Sequence, residues 1–342
     1  MSNLKTIRSI APLRIAFAGG GTDLFEYYSK YGGNVLNTTL SLKVEVTIEQ
    51  TNYDFNEYIS VDTNQKIQFS RNSNNFSKEK CYLLRKIHLY LIEDYPELQN
   101  ICIKIISFSQ VPYGSGLGTS STICVALIQG LLEMISVKLT PHALAEYAFE
   151  IERIKLKILG GCQDHYAAAI GGFNFIEMSK NEVIANSLLI NKDIISELEL
   201  STILAIGKKT RSSSNIIKEQ TKSMANQITI DSLHNSKLLA KELKNKLIKQ
   251  QLNEFFEISK KIWEIKKQYA SCIVPPEYEN LQKSLLQLGA YSCKISGAGG
   301  GGFLTTFVDP GNKKAIIEHL ENMKFKIFSF SFTEKGAKSW VI

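Results

Sequence analysis

The chain has 342 residues, of which 44% are hydrophobic and 21% are charged, and its formal net charge is +7. This composition excludes global disorder and is sufficient for a sizeable core in one large or two medium domains. The longest apolar run, 123–137, is shorter than the roughly 18 residues that a membrane-spanning helix needs. The N-terminal apolar stretch, 15–18, is too brief for a signal peptide. We therefore expect a soluble, cytoplasmic protein.

The six cysteines and five histidines are scattered, without the C-x-x-C or Cys/His spacing of a zinc site. The basic residues are dispersed as well, and their densest region, 237–267, interleaves lysine with leucine at helical spacing. That pattern is typical of a helix with one buried and one solvated face. The positive charge suits small anionic ligands and gives no specific indication of nucleic acid.

The first half of the chain predicts alternating strands and helices. A strand at 15–18 ends in three glycines, and a helix at 24–31 follows, for which Asp23 and Glu26 can form a capping box. Proline and glycine signals limit a later helix to 140–159, with a short helix at 165–170 after it. The remaining patterns predict strands at 44–50, 58–61, 66–69 and 101–108 and helices at 81–94 and 120–135.

Residues 178–198 have weak periodicity and predict a domain boundary. We assign 1–185 to an N-terminal domain and 195–342 to a C-terminal domain. In the second domain we expect strands at 202–206, 293–295, 303–308 and 326–332 and helices at about 213–225, 232–250, 252–270, 278–288 and 313–323.

A glycine-rich segment after Pro112 carries the strongest functional signal. Glycines at every second position let the backbone approach a ligand, and hydroxyl residues then open an apolar helix, so that free N–H groups face the loop. A turn with Ser/Thr helix caps is the plainer alternative. The Walker lysine is missing after Gly118, and the spacing does not fit the dinucleotide fingerprint. The predicted phosphate loop comprises Gly114, Ser115, Gly116, Leu117, Gly118, Thr119, Ser120 and Ser121.

This loop resembles the ATP loop P-x-x-x-G-L-G-S-S of the GHMP kinases, with Thr119 where serine is usual. The family's N-terminal motif is matched by Ala11–Arg14 and Gly19–Asp23, and its C-terminal motif by Lys294–Phe303. Three motifs in the family's order span nearly the whole chain. The resemblance implies an α+β fold: an N-terminal domain with a left-handed βαβ unit, a ferredoxin-like C-terminal domain, and an active site in the cleft between them.

Within the family, the segments PLRIAFAGGGTD, GGCQDHYAAAIGGF and KKTRSS are most similar to kinases of the anomeric hydroxyl of sugars, those of heptose 7-phosphates and of fucose among them. The resemblance implies ATP and Mg²⁺ as cofactors and a sugar phosphate as substrate. A fucose or galactose kinase, a decarboxylase of a diphosphorylated acid and a non-catalytic sugar sensor are the alternatives. Neither a nucleic acid nor a membrane is an expected partner, and a homodimer is left open.

Two carboxylates and one arginine are candidates for the chemistry. Glu152 falls on the apolar stripe of its helix, where a carboxylate needs a cation or a metal, so an ion pair with Arg153 or Lys155 is the alternative. The resemblance implies that Glu152 and Ser120 hold Mg²⁺. Asp164 can be read as a helix N-cap. The resemblance implies instead that Asp164 is the catalytic base, and we expect Arg14 to steady it.

The remaining candidates concern the substrate. The resemblance implies that Asp23 contacts sugar hydroxyls, and that the glycines before it let the sugar approach the backbone. The basic group that includes Lys208 and Arg211 can be a solvated turn or can grip a phosphate on the substrate. The predicted substrate-binding set is Gly20, Gly21, Thr22, Asp23, Lys208, Arg211, Gly299 and Gly300.

Overall fold

The computed structural model describes residues 4–70, 81–207 and 213–342. Two β-sheets and a set of helices form an α+β fold, as predicted. None of the helices in the described ranges combines the length and the hydropathy required to span a bilayer. The strands are β1 (Thr6–Ala18), β2 (Gly33–Thr51), β3 (Phe55–Ser60), β4 (Gln65–Ser70), β5 (Cys102–Ser109), β6 (Phe173–Met178), β7 (Val183–Ser187), β8 (Thr202–Ile206), β9 (Ala290–Ile295), β10 (Phe303–Val308), β11 (Lys326–Phe328) and β12 (Lys338–Val341).

The helices cover the sheets and connect them. Two short 3₁₀ turns, Pro96–Asn100 and Pro310–Asn312, lie between elements. The α-helices are α1 (Phe25–Tyr31), α2 (Tyr82–Asp94), α3 (Thr119–Met134), α4 (Pro141–Phe149), α5 (Gln163–Ile170), α6 (Lys192–Leu200), α7 (Ser213–Ser223), α8 (Gln227–Ile248), α9 (Leu252–Lys266), α10 (Pro276–Gln287) and α11 (Lys313–Asn322).

The larger sheet has the order β12-β1-β2-β5-β3-β4, and β6 pairs with the first part of β2 and carries β7 at its edge. The long strand β2 therefore pairs with β6 through residues 33–38 and with β5 through residues 44–51. Helix α3 packs on β1 and β2, and it is apolar on nearly all sides because it is enclosed by other elements. The phosphate loop lies between β5 and α3, so it is held by the most buried part of this domain.

The second sheet has the order β11-β8-β10-β9, and all of its pairs are antiparallel. Taken in chain order, its elements are strand, helices, strand, strand, helix, strand. This is the ferredoxin-like arrangement that was predicted. The central strands β8 and β10 are buried along their whole length, and both occupy the residues predicted from their apolar runs.

The end of the chain departs from the prediction. Strand β11 ends at Phe328, four residues before the predicted end, and the chain then returns to the first sheet as β12. Ile7 pairs with Val341 and Ile10 pairs with Lys338, so the last residues extend the N-terminal sheet. The division at 1–185 and 195–342 stays a prediction, and the final strand of the second range belongs structurally to the first sheet.

Two helix boundaries near the cavity also differ. The predicted helix 140–159 is α-helical only to Phe149, and Glu150–Lys155 continue as a π-helical turn. Such wide turns redirect side chains and are frequent at functional sites. The predicted capping box is wrong, because Leu24 occupies the N-cap of α1 without a side-chain bond and the Asp23 carboxylate turns elsewhere.

Candidate active site

A cavity of about 500 Å³ lies between the two domains, where the phosphate loop faces α7 and the end of α9. Its walls include glycine backbone, two arginines, a lysine and two aspartates. The described residues that line it are Arg14, Gly20, Gly21, Asp23, Leu24, Tyr113, Gly114, Ser115, Gly116, Gly118, Thr119, Ser120, Ser121, Arg153, Ile158, Leu159, Gly160, Gly161, Gln163, Asp164, Ser213, Ser214, Ile217, Gln220, Lys266, Gly297 and Ala298.

The phosphate loop exposes backbone N–H groups to this cavity. Gly114, Gly116 and Gly118 have φ angles of 76°, 86° and 82°, which L-residues with a side chain rarely adopt. The first α3 bond runs from the Thr122 N–H to the Gly118 carbonyl at 2.9 Å. The amides of residues 119–121 therefore precede the intrahelical ladder and are available to an anion at the positive end of the helix.

A second glycine loop, Ser296–Gly302, packs directly on the phosphate loop. A Cβ added to Gly116 would lie 2.7 Å from the Ser296 carbonyl oxygen, and one added to Gly297 would lie 2.7 Å from the Gly116 oxygen. The Phe303 N–H also donates to the Ser115 oxygen at 2.8 Å. This backbone contact requires glycine on both sides, and it couples the C-terminal sheet to the phosphate loop.

Arg14 and Asp164 form a partly buried ion pair beside the phosphate loop. Arg14 Nε donates to Asp164 Oδ1 at 2.6 Å, and a second guanidinium nitrogen donates to the Gly116 oxygen at 2.8 Å. Asp164 lies in the first turn of α5, and a Cβ on Gly118 would be 3.1 Å from its carboxylate carbon. One arginine thus contacts both the acid group and the loop, and the carboxylate lies against Gly118 of the phosphate loop.

Glu152 is fully buried behind the phosphate loop. The π-helical turn brings its carboxylate 2.5 Å from Ser120 Oγ, 2.6 Å from His165 Nε2 and 3.3 Å from Arg153. Burial alone would raise the pKa of Glu152, but Arg153, His165 and Ser120 together lower it below its usual range. The group is therefore held as a carboxylate. The alternative ion pair with Arg153 and the contact with Ser120 are both present.

Ser120 and Glu152 offer two oxygen groups that could hold Mg²⁺. Magnesium takes oxygen ligands, often one or two protein groups together with phosphate oxygens and water. A hydroxyl at the cavity wall in contact with an ionised carboxylate fits that chemistry. The described residues contain no group of three or more His, Cys, Asp or Glu side chains suited to a metal.

Asp23 lines the same cavity, close enough to Asp164 for the two charges to interact. Its Oδ1 accepts from the Gly21 N–H at 2.9 Å, and its Oδ2 accepts from Gln163 Nε2 at 2.9 Å. Burial, and then the charge of Asp164, raise the pKa of this carboxyl group. A Cβ on Gly161 would lie 1.9 Å from the Asp23 carboxylate, so this glycine leaves the space that the acid occupies.

Four predicted contact residues do not line the cavity. Thr22 is fully buried, and its hydroxyl donates to the Gly19 oxygen, so it holds the turn before α1. Leu117 is also fully buried, with its carbonyl accepting from the Arg14 N–H. Gly299 and Gly300 pack against Ile273 and Ile216 and shape the second glycine loop. Lys208 and Arg211 lie outside the described residues.

Three polar residues, Lys266, Gln163 and Gln220, are among the cavity residues that sequence reasoning missed. Lys266 ends α9, and its ammonium group donates to the Gly297 oxygen. Gln163 precedes Asp164, and Gln220 lies on the inner face of α7. Gln220 is a polar residue at helical spacing from Ile216, and that pattern was the available signal. No sequence pattern distinguished Lys266, because it lies at the end of a helix rich in exposed lysines.

Comparison with known proteins identifies the family. The family model described as GHMP kinases N terminal domain matches residues 82–172, and the GHMP kinases C terminal model matches residues 239–325. A D-glycero-alpha-D-manno-heptose 7-phosphate kinase of Campylobacter jejuni is 36% identical, and the match covers 99% of this chain and 100% of that protein. The chain belongs to the GHMP kinase family. It is therefore an ATP-dependent kinase of the GHMP fold.

Two other relatives of this GHMP kinase are informative. A solved structure of a D-glycero-D-manno-heptose 1-phosphate kinase from Bacteroides thetaiotaomicron has a TM-score of 0.84 and 32% identity, with 98% of this chain and 99% of that chain covered. A bifunctional fucokinase/GDP-fucose pyrophosphorylase of Arabidopsis thaliana is 25% identical over 94% of this chain and 32% of its own length. The full-length similarity is thus to proteins named as heptose phosphate kinases.

The position of Lys266 predicts a pH dependence for this kinase. Burial, and then the nearby Arg14, lower the pKa of Lys266 to about 8. The ammonium form favours an anionic ligand and is lost as the pH rises through that value. We expect kcat/KM for ATP, which reports the free enzyme, to fall by about tenfold above that pKa.

A pH–rate profile of wild type and Lys266→Arg checks this expectation. Arginine keeps its charge, so the variant should lose the alkaline decrease, whereas Lys261→Arg on the exposed face of α9 should retain it. An unchanged alkaline limb in Lys266→Arg would show that the lysine does not contribute its charge to ATP binding.

Proposed function

We propose that this GHMP kinase transfers the γ-phosphoryl group of ATP to the anomeric hydroxyl of D-glycero-D-manno-heptose 7-phosphate. The products are the 1,7-bisphosphate and ADP, which would feed the synthesis of nucleotide-activated heptose for surface polysaccharide. The observation that carries the chemistry is the Asp164 carboxylate, fixed by Arg14 at 2.6 Å directly beside the phosphate loop. The full-length similarity to heptose phosphate kinases supports the substrate.

The proposed reaction brings the triphosphate and the sugar together in the cavity. The amides of the phosphate loop hold the triphosphate, and Asp164 accepts the proton of the sugar hydroxyl as that oxygen attacks the γ-phosphorus. The new O–P bond forms while the bond from the γ-phosphorus to the bridging oxygen breaks, and ADP leaves with the electron pair. Arg14 orients Asp164 and balances charge on the transferring group. Such positioning and neutralisation supply most of the catalysis of phosphoryl transfer.

Mg²⁺ belongs to this proposal. Ser120 and Glu152 would hold the ion, which neutralises negative charge on the phosphates when bound. The second glycine loop covers the phosphate loop through the contact of Gly116 with Ser296, and this cover would limit the access of water to the triphosphate. Asp23, which lines the cavity beside Gly21 and Gln163, would bind sugar hydroxyls. A cytoplasmic location and a homodimer remain proposals of the sequence alone.

A fucokinase-like activity is the second candidate, because the similarity to the Arabidopsis fucokinase covers 94% of this chain. A panel of free sugars and sugar phosphates with ATP separates the two by ADP release. Phosphorus NMR of the product then identifies the phosphorylated position. The proposal expects turnover with heptose 7-phosphate and a new anomeric phosphate. Preference for fucose, or phosphorylation at another hydroxyl, would contradict it, and the absence of ADP release with every sugar would favour a sensor.

Arg211 provides a test of the substrate phosphate. If Arg211 binds the 7-phosphate, Arg211→Ala should raise KM for the sugar phosphate by about 10-fold to 100-fold, since a charge-assisted hydrogen bond is lost. KM for ATP should change by less than about threefold. Lys218→Ala, which removes one exposed positive charge from α7, is the matched control. Equal effects on both substrates would mean that Arg211 acts indirectly.

A further inference from the structure

Two buried glutamines line the end of the cavity that contains Asp23, and each has an unpaired polar atom. Gln163 is 5% exposed and Gln220 is 3% exposed. Gln163 Oε1 and Gln220 Nε2 have no hydrogen-bond partner among the described residues. Buried polar atoms of proteins nearly always have partners, so two exceptions in one cavity need an explanation.

The orientation of Gln163 is fixed by its neighbour. Its Nε2 donates to Asp23 Oδ2 at 2.9 Å, and the other Asp23 oxygen already accepts from the Gly21 N–H. Because the amide nitrogen faces the carboxylate, the amide oxygen is the group left without a partner. This oxygen can only accept a hydrogen bond.

Gln220 reaches the same region from the other domain. It lies on the face of α7 that also directs Ser213 and Ile217 to the cavity, at the spacing i, i+4 and i+7. A Cβ added to Gly21 would lie 2.4 Å from Gln220 Nε2, so the side chain extends across to the glycine turn before α1. The unpaired atom is a donor.

These atoms differ from those of a structural glutamine in the same chain. Gln282 is also buried, and its Oε1 accepts from Trp263 Nε1 at 3.0 Å, which satisfies a core contact. Gln163 and Gln220 instead leave one acceptor and one donor unpaired, and the unpaired donor of Gln220 lies against Gly21. A polyol presents hydroxyl groups that donate and accept, and the two amides provide one site of each kind.

We propose that Gln163 and Gln220 determine which sugar configuration this kinase accepts. Gln163 Oε1 accepts a hydrogen bond from one ring hydroxyl, and Gln220 Nε2 donates to another. The inference rests on the proposed sugar kinase function and extends its substrate site beyond Asp23. Sites built to pair with a hydroxyl reject analogues that lack it, because the protein groups are then left buried and unpaired. Since the two amides come from different domains, both can bind the sugar only when the two domains together enclose the cavity.

The Gln220→Met variant tests this role. Methionine has a similar length and no donor, so kcat/KM for D-glycero-D-manno-heptose 7-phosphate should fall by about tenfold or more. KM for ATP should stay within about twofold. Monodeoxy analogues sharpen the assignment: the one that lacks the hydroxyl bound by Gln220 should be a poor substrate of wild type and should lose no further activity in the variant. Gln163→Met should single out a different deoxy analogue, together with a general loss of kcat/KM because the hydrogen bond to Asp23 Oδ2 is also removed.

Measurements of Tm distinguish sugar recognition by Gln220 from a structural role of this residue. Without sugar, the Tm of Gln220→Met should equal or exceed that of wild type, because an unpaired buried group is removed. The increase in Tm caused by the sugar phosphate should shrink. Gln287→Met, at the exposed end of α10, is the matched control and should behave as wild type.

The outcomes distinguish the two proposals. Wild-type turnover together with an unchanged ranking of sugars and deoxy analogues in both methionine variants would overturn the role of the glutamines alone. A lower Tm with parallel losses for all substrates would do the same, since it indicates a structural function. No turnover of any sugar phosphate by wild type would overturn the proposed function and this inference with it.

Discussion

Replacing Asp164 with asparagine is expected to lower kcat by about 10²-fold to 10⁴-fold, the range that a positioned general base contributes. Asparagine has nearly the same shape, and its side-chain oxygen can still accept the 2.6 Å hydrogen bond from Arg14. It cannot accept the proton of the attacking hydroxyl. The phosphate loop and the hydrogen bond from Arg14 should therefore persist, and KM for ATP should change by less than about threefold.

Steady-state ADP release at saturating ATP and sugar phosphate measures this effect. Isothermal titration with ATP in the same variant verifies that the nucleotide still binds. Asp193→Asn is the matched control, because Asp193 is exposed in the first turn of α6 and is not among the residues that line the cavity. If Asp164→Asn turned over at nearly the wild-type rate with both ligands bound, Asp164 would not be the base.

The second large effect is expected for Glu152→Gln. This change leaves the buried Arg153 without its carboxylate partner, and breaking a buried ion pair in this way costs about 3–5 kcal/mol of the free energy of unfolding. It also removes a charged oxygen from the proposed magnesium site. The Mg²⁺ concentration required for half-maximal activity should rise by about 10-fold to 100-fold.

Chemical denaturation and a titration of activity with Mg²⁺ measure the two consequences separately. Glu150→Gln provides the control: it lies in the same π-helical turn, and 54% of its side chain is exposed. We expect this control to match wild type in both measurements. A folded Glu152→Gln protein with the wild-type Mg²⁺ requirement would leave Glu152 only the structural role of pairing with Arg153 and His165.

Local sequence patterns were sufficient for the elements that depend on nearby residues. Apolar runs predicted β8 and β10 at their observed residues, and alternating glycines before hydroxyls predicted the loop that starts α3. The resemblance to the family motifs also predicted that this loop, Arg14 and Asp164 belong to one site. The structure then brings these residues to one cavity wall.

Features that depend on distant partners could not be predicted in this way. The π-helical turn at 150–155 brings Glu152 against Ser120 and His165. The spacing of residues within this segment does not predict a π-helical turn. Strand β12 pairs with residues more than 300 positions earlier, at Ile7 to Ile10. The helical spacing from Ile216 could place Gln220 on a buried face, but the proposed role of Gln220 depends on its unpaired amide nitrogen and the facing glycine turn.

A crystal structure with a non-hydrolysable ATP analogue, Mg²⁺ and heptose 7-phosphate would test the proposed chemistry most directly. We expect the triphosphate to accept hydrogen bonds from the backbone amides of the phosphate loop, with the anomeric hydroxyl within hydrogen-bonding distance of Asp164. A triphosphate bound more than a few ångströms from both the loop and Asp164 would contradict the proposed arrangement.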